Sequence, residues 1–354
     1  MHIESSFTPR HDRVLVLSDE VIRRTITLPQ TIPLIEAAFA ADALGVAVAL
    51  PVVVKSLDLF DAHLGIKSGY IRLSPPGSSP STLVNYLSEQ IDDVLGLKAG
   101  GYWSRNSSEG KPSHSAVLLL LDPGSGNVTA LMSANSITWL RTAAAGAIAA
   151  THLARSNSEV ATVIGAGEQA HAQLAALRLS RRISRAYVWA RNPASAAAFA
   201  SAWRDSGLLV EPVGDICHAT EGADIVITAT PSLEPLINDE WVHPGTHITA
   251  VGSDGKGKQE LDVRLLQRAK VVVDKVNQSL EIGELQHAIA GGFSADKMIH
   301  AELGEICAGL KPGRESDEEI TVFDSSGVSI QDLVVASYLV RRAKSEGLGK
   351  HVTL

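Results

Sequence analysis

Along this chain the apolar positions change between helical and alternating spacing, and the changes mark out its elements. From Pro33 to Leu44, Ile35, Ala38, Phe39 and Ala41 form one apolar face behind a proline in the first turn, which predicts a helix. Strand-like runs follow at Val52–Val54, Gly69–Ile71 and Ser115–Leu121. The last is joined to Val128–Met132 by Asp122-Pro123-Gly124-Ser125-Gly126-Asn127, a hairpin signal. Pro75–Ser81 is a Pro/Ser/Gly loop, and residues 1–32, polar and without a clear period, read as a surface segment. A long alanine-rich helix covers about Ile137 to Arg155. Beyond it strands and helices alternate, as a doubly wound parallel α/β sheet demands, with strands at Val160–Ile164, Ala186–Ala190, Asp224–Thr228, Thr246–Val251 and Val271–Val273. A last helix, Ile330 to Ser345, has no further sheet to complete and is expected to pack back on the first half of the chain.

Within this alternation one strand-turn-helix carries a nucleotide signature. Val160–Ile164 runs into Gly165-Ala166-Gly167-Glu168-Gln169-Ala170 and then into an Ala/Leu-rich helix. Gly165 permits the tight turn, Gly167 lets the backbone approach a pyrophosphate, and Ala170 stands where helix and strand pack closely. The helix N-terminus then faces the phosphates. The next strand ends Trp189-Ala190-Arg191-Asn192, without the acid that would bind a ribose 2′-hydroxyl. Arg191 is either a solvated arginine or the partner of a 2′-phosphate, so NADP(H) is favoured over NAD(H). Ligands of open parallel sheets sit outside the strand carboxyl ends, so Thr228-Ala229-Thr230-Pro231 and Val251-Gly252-Ser253-Asp254-Gly255 are expected to face the cofactor.

The chain's 354 residues are enough for two domains, and 45% hydrophobic content fits a globular enzyme. A net charge of −8, with no dense basic cluster, argues against nucleic acid as a partner. Cys217 and Cys307 lie far apart without metal-ligand spacing, which indicates neither a disulfide framework nor a metal site, and fits a reducing cytoplasm. The longest alanine-rich stretch is bounded by Arg141 and His152, so no membrane span is expected.

Three charged residues stand out. Asp254, just after a strand end and among glycines, is either an Asx-turn or a carboxylate beside the nicotinamide, able to exchange a proton with a substrate nitrogen. Lys98, bordered by glycines, is either an anion ligand or a surface lysine on an edge strand. Arg141 sits near the start of an apolar helix, where the dipole does not favour it, so it either snorkels or clamps a carboxylate.

The runs Gly96-Leu97-Lys98, Arg141-Thr142-Ala143-Ala144, Gly165–Ala170 and Gly252–Leu261, with Ala301-Glu302-Leu303-Gly304-Glu305 and Asp324-Ser325-Ser326-Gly327, resemble the ornithine cyclodeaminase/mu-crystallin family from about residue 90 onward. The family's usual Pro-Arg substrate contact is absent, and Lys55 is only a loose counterpart. The resemblance implies a homodimer in which each subunit joins a Rossmann domain (residues 142–321) to an α+β substrate-binding and dimerisation domain (1–141 and 322–354). It places Lys98 and Arg141 on the substrate carboxylate, Asp254 as acid/base, Thr142 and the Gly165–Gln169 turn on the pyrophosphate, and Thr228 and the Ser326 region near the cofactor. The shared step is hydride exchange between a nicotinamide and the α-carbon of a small amino or imino acid. Imine reduction or amino-acid dehydrogenation is favoured; ornithine-type cyclodeamination is the alternative, and a non-catalytic NADP(H)-dependent binding protein the second, which Asp254 argues against.

Overall fold

The computed structural model describes residues 13–353 apart from 74 and 76, so the first part of the expected surface segment, residues 1–12, lies outside the described residues. The rest of that segment is not surface. Arg13–Leu17 is a strand with Val14, Leu15 and Leu17 buried, and Asp19–Thr25 is a helix capped by Ser18 that buries Ile22. The next helix starts at Leu28 rather than Pro33 and runs to Ala43. Its start is marked by Thr27, whose backbone N–H donates to Gln30 Oε1 at 2.9 Å, and by Pro29 in the first turn. Pro33 therefore lies inside the helix, at the cost of one backbone bond.

Two eight-stranded sheets organise the molecule. The first runs in the order Lys350–Thr353, Arg13–Leu17, Val128–Ser133, His114–Leu121, Val94–Trp103, Ala62–Ile71, Ala47–Ala49, with Val53–Leu57 also paired to Ala62–Ile71. It is antiparallel except where Arg13–Leu17 meets Val128–Ser133, and the expected hairpin at 115–132 is present. Helices Leu28–Ala43, Asn135–Leu153 and Ser329–Glu346 pack on its inner face in one apolar core. The last helix therefore does pack back on the first half of the chain. It sits close to the sheet because Gly69 and Gly96 have no side chain: a Cβ on Gly69 would stand 2.7 Å from Ser329 Oγ, and one on Gly96 2.9 Å from Leu333 Cδ2.

The second sheet is wholly parallel, in the order Leu209–Pro212, Arg185–Trp189, Val160–Ile164, Ile225–Thr228, His247–Ala250, Thr321–Asp324, Lys270–Val273, Ile299–Glu302. Its central strands are buried along their length, as double coverage requires. Apolar clusters lie on both of its faces. The chain passes between the sheets through continuous elements: positions 141 and 142 share the helix Asn135–Leu153, and 321 and 322 share the strand Thr321–Asp324.

Candidate active site

Four loops leave the carboxyl ends of adjacent parallel strands: Gly165–Gly167 after Val160–Ile164, Ala229–Thr230 after Ile225–Thr228, Val251–Ser253 after His247–Ala250, and Ser325–Gly327 after Thr321–Asp324. Val160–Ile164 lies between the strand that follows it and Ile225–Thr228, which makes this the topological switch point where such sheets bind ligands. Gly165 has φ +115°, and a Cβ there would stand 2.5 Å from Ala229 O, so only glycine fits. Gly167 is the N-cap of the helix Glu168–Ser180, has no side-chain cap, and has open space in front of it. Gln169 Nε2 is buried without a partner. Helix N–H groups facing open space beside an unpaired buried amide fit a pyrophosphate.

The other expected cofactor residues fall into two groups. Arg191 and Asn192 are exposed just past Arg185–Trp189, and Asn192 Oδ1 caps the helix Pro193–Ala202 through Ala194 N–H at 3.0 Å. Thr228, Ser253 and Ser326 turn their hydroxyls inward: to Glu260 Oε2 (2.7 Å), Lys258 O (3.0 Å) and Asp274 Oδ1 (3.0 Å) respectively. These three shape the loops, and what they offer a ligand is backbone. Thr142 lies in the helix one residue after Arg141, with its hydroxyl donated to Thr138 O at 2.7 Å.

Opposite these loops, the inner face of the mixed sheet contributes the cations. Lys98 (7% exposed) donates to Asp332 Oδ1 at 2.8 Å and to Thr138 Oγ1 at 3.2 Å. Arg141 (5% exposed) reaches the same Asp332 oxygen at 3.3 Å and Gln331 Oε1 at 2.9 Å. Burial and the neighbouring Arg141 push the Lys98 ammonium down to about 7, against the pull of Asp332. Gln331 Nε2 and Asp332 Oδ2 are buried and unpaired beside this cluster. Neither Lys98 nor Arg141 is therefore a solvated surface residue.

A third cation, Lys67, escaped the sequence reading. Lys67 and Lys98 are directly opposite on adjacent antiparallel strands, so they share a face. Lys67 donates to Ser326 O and Gly327 O, both at 2.7 Å, and burial with the nearby Arg141 lowers its pKa. Its signal was present: Gly65-Ile66-Lys67-Ser68-Gly69 repeats the Gly-X-Lys-X-Gly pattern of Gly96-Leu97-Lys98-Ala99-Gly100, and the two runs pair Gly69 with Gly96 and Gly65 with Gly100. Lys55, by contrast, is exposed and stands opposite Leu64, on the outer face of the sheet. It cannot take the place of the missing Pro-Arg contact.

Asp254 completes the cleft. Its side chain is 54% exposed and pairs with Lys258 Nζ at 2.6 Å, with Lys67 as a further cation and His114, pushed down to about 4 by burial and the charge of Lys98, also near. Partial loss of solvent opposes its ionisation, but Lys258 first, with Lys67 and His114, holds the carboxyl down at about 2. Asp254, Lys98 and Arg141 thus belong to one electrostatic cluster above the glycine-loop edge of the parallel sheet. His114 and Asp332 join it although no motif marks them, as does Lys258 from within the Gly252–Leu261 run.

The profile of the ornithine cyclodeaminase/mu-crystallin family matches residues 12–347. The chain belongs to this family. It is 38% identical to an iminosuccinate reductase of Paracoccus denitrificans over 96% of its own length and 100% of the relative, whose structure with NAD+ superposes with a TM-score of 0.83. An archaeal alanine dehydrogenase dimer with bound NAD is 36% identical with a TM-score of 0.87, covering 97% of this chain and 99% of that one. A Delta(1)-pyrroline-2-carboxylate reductase of Thermococcus litoralis, in complex with NADH and L-proline, is 33% identical with a TM-score of 0.87, covering 96% and 100%. The similarity extends through the first 90 residues, where the motifs are sparse.

Proposed function

We propose that this protein reduces a small α-imino acid to the amino acid, with the substrate carboxylate held between Arg141, Lys98 and Lys67 and its nitrogen facing Asp254. It is a nicotinamide-dependent oxidoreductase acting on carbon–nitrogen bonds, as its reductase and dehydrogenase relatives indicate. When bound, the dinucleotide supplies or takes up the hydride at the α-carbon. The lysines and arginine fix the carboxylate so that one face of the α-carbon points to the parallel-sheet loops.

The observation that carries the reading is the convergence of Lys67, Lys98 and Arg141, three buried cations for a carboxylate, with Asp254, one ionised acid for a nitrogen, at the edge of the parallel-sheet loops. An ionised carboxylate stabilises a protonated imine, which brings its own proton to the site and becomes more electrophilic. The same carboxylate is a weak base toward a substrate ammonium. Hydride exchange at one site runs in both directions, so net imine reduction is preferred to cyclodeamination here on the reductase and dehydrogenase relatives. The test is NAD(P)H absorbance with Δ1-pyrroline-2-carboxylate, iminosuccinate formed in situ, and pyruvate or glyoxylate with ammonium or methylamine, against ornithine with ammonia as readout. Steady loss of reduced cofactor with one of the imines is expected. Ammonia release from ornithine without net cofactor use, and no imine reduction, would overturn it.

Three further assignments rest on the same geometry. Arg191, exposed and without an acid beside it, is the contact for a 2′-phosphate, so NADP(H) is preferred even though the relatives above are seen with NAD(H). The chain forms a homodimer through the outer face of the mixed sheet, where Ile66, Tyr70, Val117 and Leu131 are exposed. The working division is a Rossmann unit at 142–321 and a substrate and dimerisation unit from the remainder, joined through the helix Asn135–Leu153. No helix among the described residues is long and apolar enough to cross a membrane, and both cysteines are free thiols, which suits the cytoplasm.

A further inference from the structure

The spacing of the two cysteines gives no metal signature, yet folding brings one of them against a histidine and a carboxylate from other helices. Glu36 lies in the helix Leu28–Ala43, His152 in the last turn of Asn135–Leu153, and Cys307 at the end of the short helix Leu303–Cys307. One ligand atom from each lies within 4.8 Å of the other two. We propose that Glu36, His152 and Cys307 form a three-ligand site for a borderline-soft divalent cation of the Zn2+ type, with a water in the fourth position.

Geometry, charge and rigidity support this. His152 Nε2 and Glu36 Oε1 are 3.2 Å apart. That matches the edge of a tetrahedron with metal–nitrogen and metal–oxygen bonds of about 2.0 Å, which gives about 3.3 Å. A hydrogen bond alone would explain that edge; the free thiol at the third corner packs against the apolar core and adds the third donor. Thiolate, imidazole and carboxylate are the donor set this ion takes, and three protein donors leave one position open. The charges also balance: with the metal bound, the Cys307 proton leaves, and a dication faces one thiolate and one carboxylate. Without it, burial and the charge of Glu36 both hold the Cys307 thiol protonated. The three helices are pinned where the ligands meet. Gly304 presses on the Phe39 carbonyl and Gly313 on the His152 carbonyl, each so closely that a Cβ would overlap, and Arg314 N–H donates to His152 O at 2.9 Å. Arg141 lies eleven residues before His152 on the same helix, about 16 Å away at 1.5 Å per residue. The metal would thus tie down the far end of the helix that presents the substrate arginine, outside the cleft.

Titration of the chelator-treated full-length protein with Co2+ tests the site. The expected result is one ion per chain, a near-ultraviolet thiolate-to-cobalt charge-transfer band with tetrahedral visible bands, one proton released per ion, displacement by Zn2+, and a higher Tm. Cys307→Ser should abolish the charge-transfer band and weaken binding by more than the roughly 10- to 100-fold that outer-shell defects cause. Cys217→Ser, which removes the only other thiol, should leave the band intact. Cys307→Ser should retain imine reduction, which also shows that it folds. His152→Gln should weaken binding while keeping a weaker charge-transfer band, and so tests the site even if Cys307→Ser is unstable. No charge-transfer band in the parent protein, or a band that survives Cys307→Ser or vanishes with Cys217→Ser, overturns the proposal.

Discussion

Lys67→Met removes a cleft cation that, unlike Lys98 and Arg141, makes no direct ion pair with a carboxylate among the described residues. Lys98 and Arg141 share Asp332, whereas Lys67 is held by two backbone carbonyls and meets Asp254, Asp332 and Asp274 only at longer range, so it is the cation freest to pair with a substrate carboxylate. A carboxylate about 4 Å from an ammonium gains about 4 kcal/mol at an effective dielectric of about 20. A charged hydrogen bond is worth about 2 kcal/mol net, which sets the lower bound. At about 1.4 kcal/mol per decade, that range raises KM for the imino acid by about 30- to 700-fold. Because the carboxylate does not change during hydride transfer, the loss should fall on KM, with kcat reduced far less. The structural cost is small. Gly327 O keeps the Gln278 Nε2 donor at 2.7 Å, so only Ser326 O loses its partner, a cost of about 1–3 kcal/mol that removal of a desolvated charge offsets. Steady-state kinetics over imino-acid concentration, with cofactor titration and a thermal melt, reads all three quantities. An unchanged KM, or a loss that follows Tm and cofactor affinity, would refute the assignment of Lys67 to the substrate.

Four other outcomes are expected. Asp254→Asn should lower kcat by about 10²- to 10⁴-fold, the usual share of a positioned acid/base group, while dinucleotide affinity measured by fluorescence titration stays the same. Lys98 binds a carboxylate only when protonated, and its pKa in the free protein is about 7, so kcat/KM for the imino acid should fall as pH rises through that value. Lys98→Arg, which does not titrate there, should flatten the profile. Arg191→Ser should reduce the NADPH-to-NADH ratio of kcat/KM by about 10- to 150-fold, the equivalent of a charged hydrogen bond of about 1.5–3 kcal/mol; an unchanged ratio removes the 2′-phosphate role. Val117→Asp puts an unpaired charge on the outer sheet face and should shift the protein to monomer in light scattering, whereas a retained dimer would place the interface elsewhere.

How legible each part of the molecule was depended on whether its signal was local. The Val160–Ile164 strand, the glycine turn and the helix after it lie within one stretch of chain, and their pattern gave both the element and its purpose. Lys98, Arg141 and Asp254 stood out because each is a charge in apolar or glycine-rich surroundings. Asp332 looked like an ordinary polar position on the final helix; it becomes the shared counterion only because Gly69 and Gly96 let that helix settle onto the sheet. Lys67 is meaningful only through its cross-strand partner, a register no single run reveals. The misplaced start of the helix at Leu28 has a different cause. Two prolines compete for the first turn, and the Thr27–Gln30 capping pair, not the apolar period, decides between them.

The run from Gly252 to Glu260 combines two tasks that depend on each other. Its exposed end carries Asp254 into the cleft; its buried end carries Glu260 beneath the loops. Glu260 accepts from Thr228 Oγ1, Thr230 N–H, Thr230 Oγ1 and Gly252 N–H, at 2.7, 2.7, 2.7 and 2.8 Å. Burial raises its pKa, and these donors oppose the rise by favouring the carboxylate. Beneath it Glu284 accepts from the N–H groups of Glu260 and Leu261, and its own N–H donates to Asp324 at 3.1 Å. Burial, with Glu260 and Asp324 as neighbours, pushes the Glu284 carboxyl far above its ordinary value, and burial brings Asp324 to about 7. The shift on Glu284 favours its neutral form, which spares Glu260 a second anion against it. Ionised, Glu260 ties the loops after Ile225–Thr228 and His247–Ala250 together. The first borders the switch-point crevice and the second leads into Asp254, so one buried carboxylate sets the position of the exposed one relative to the cofactor loops.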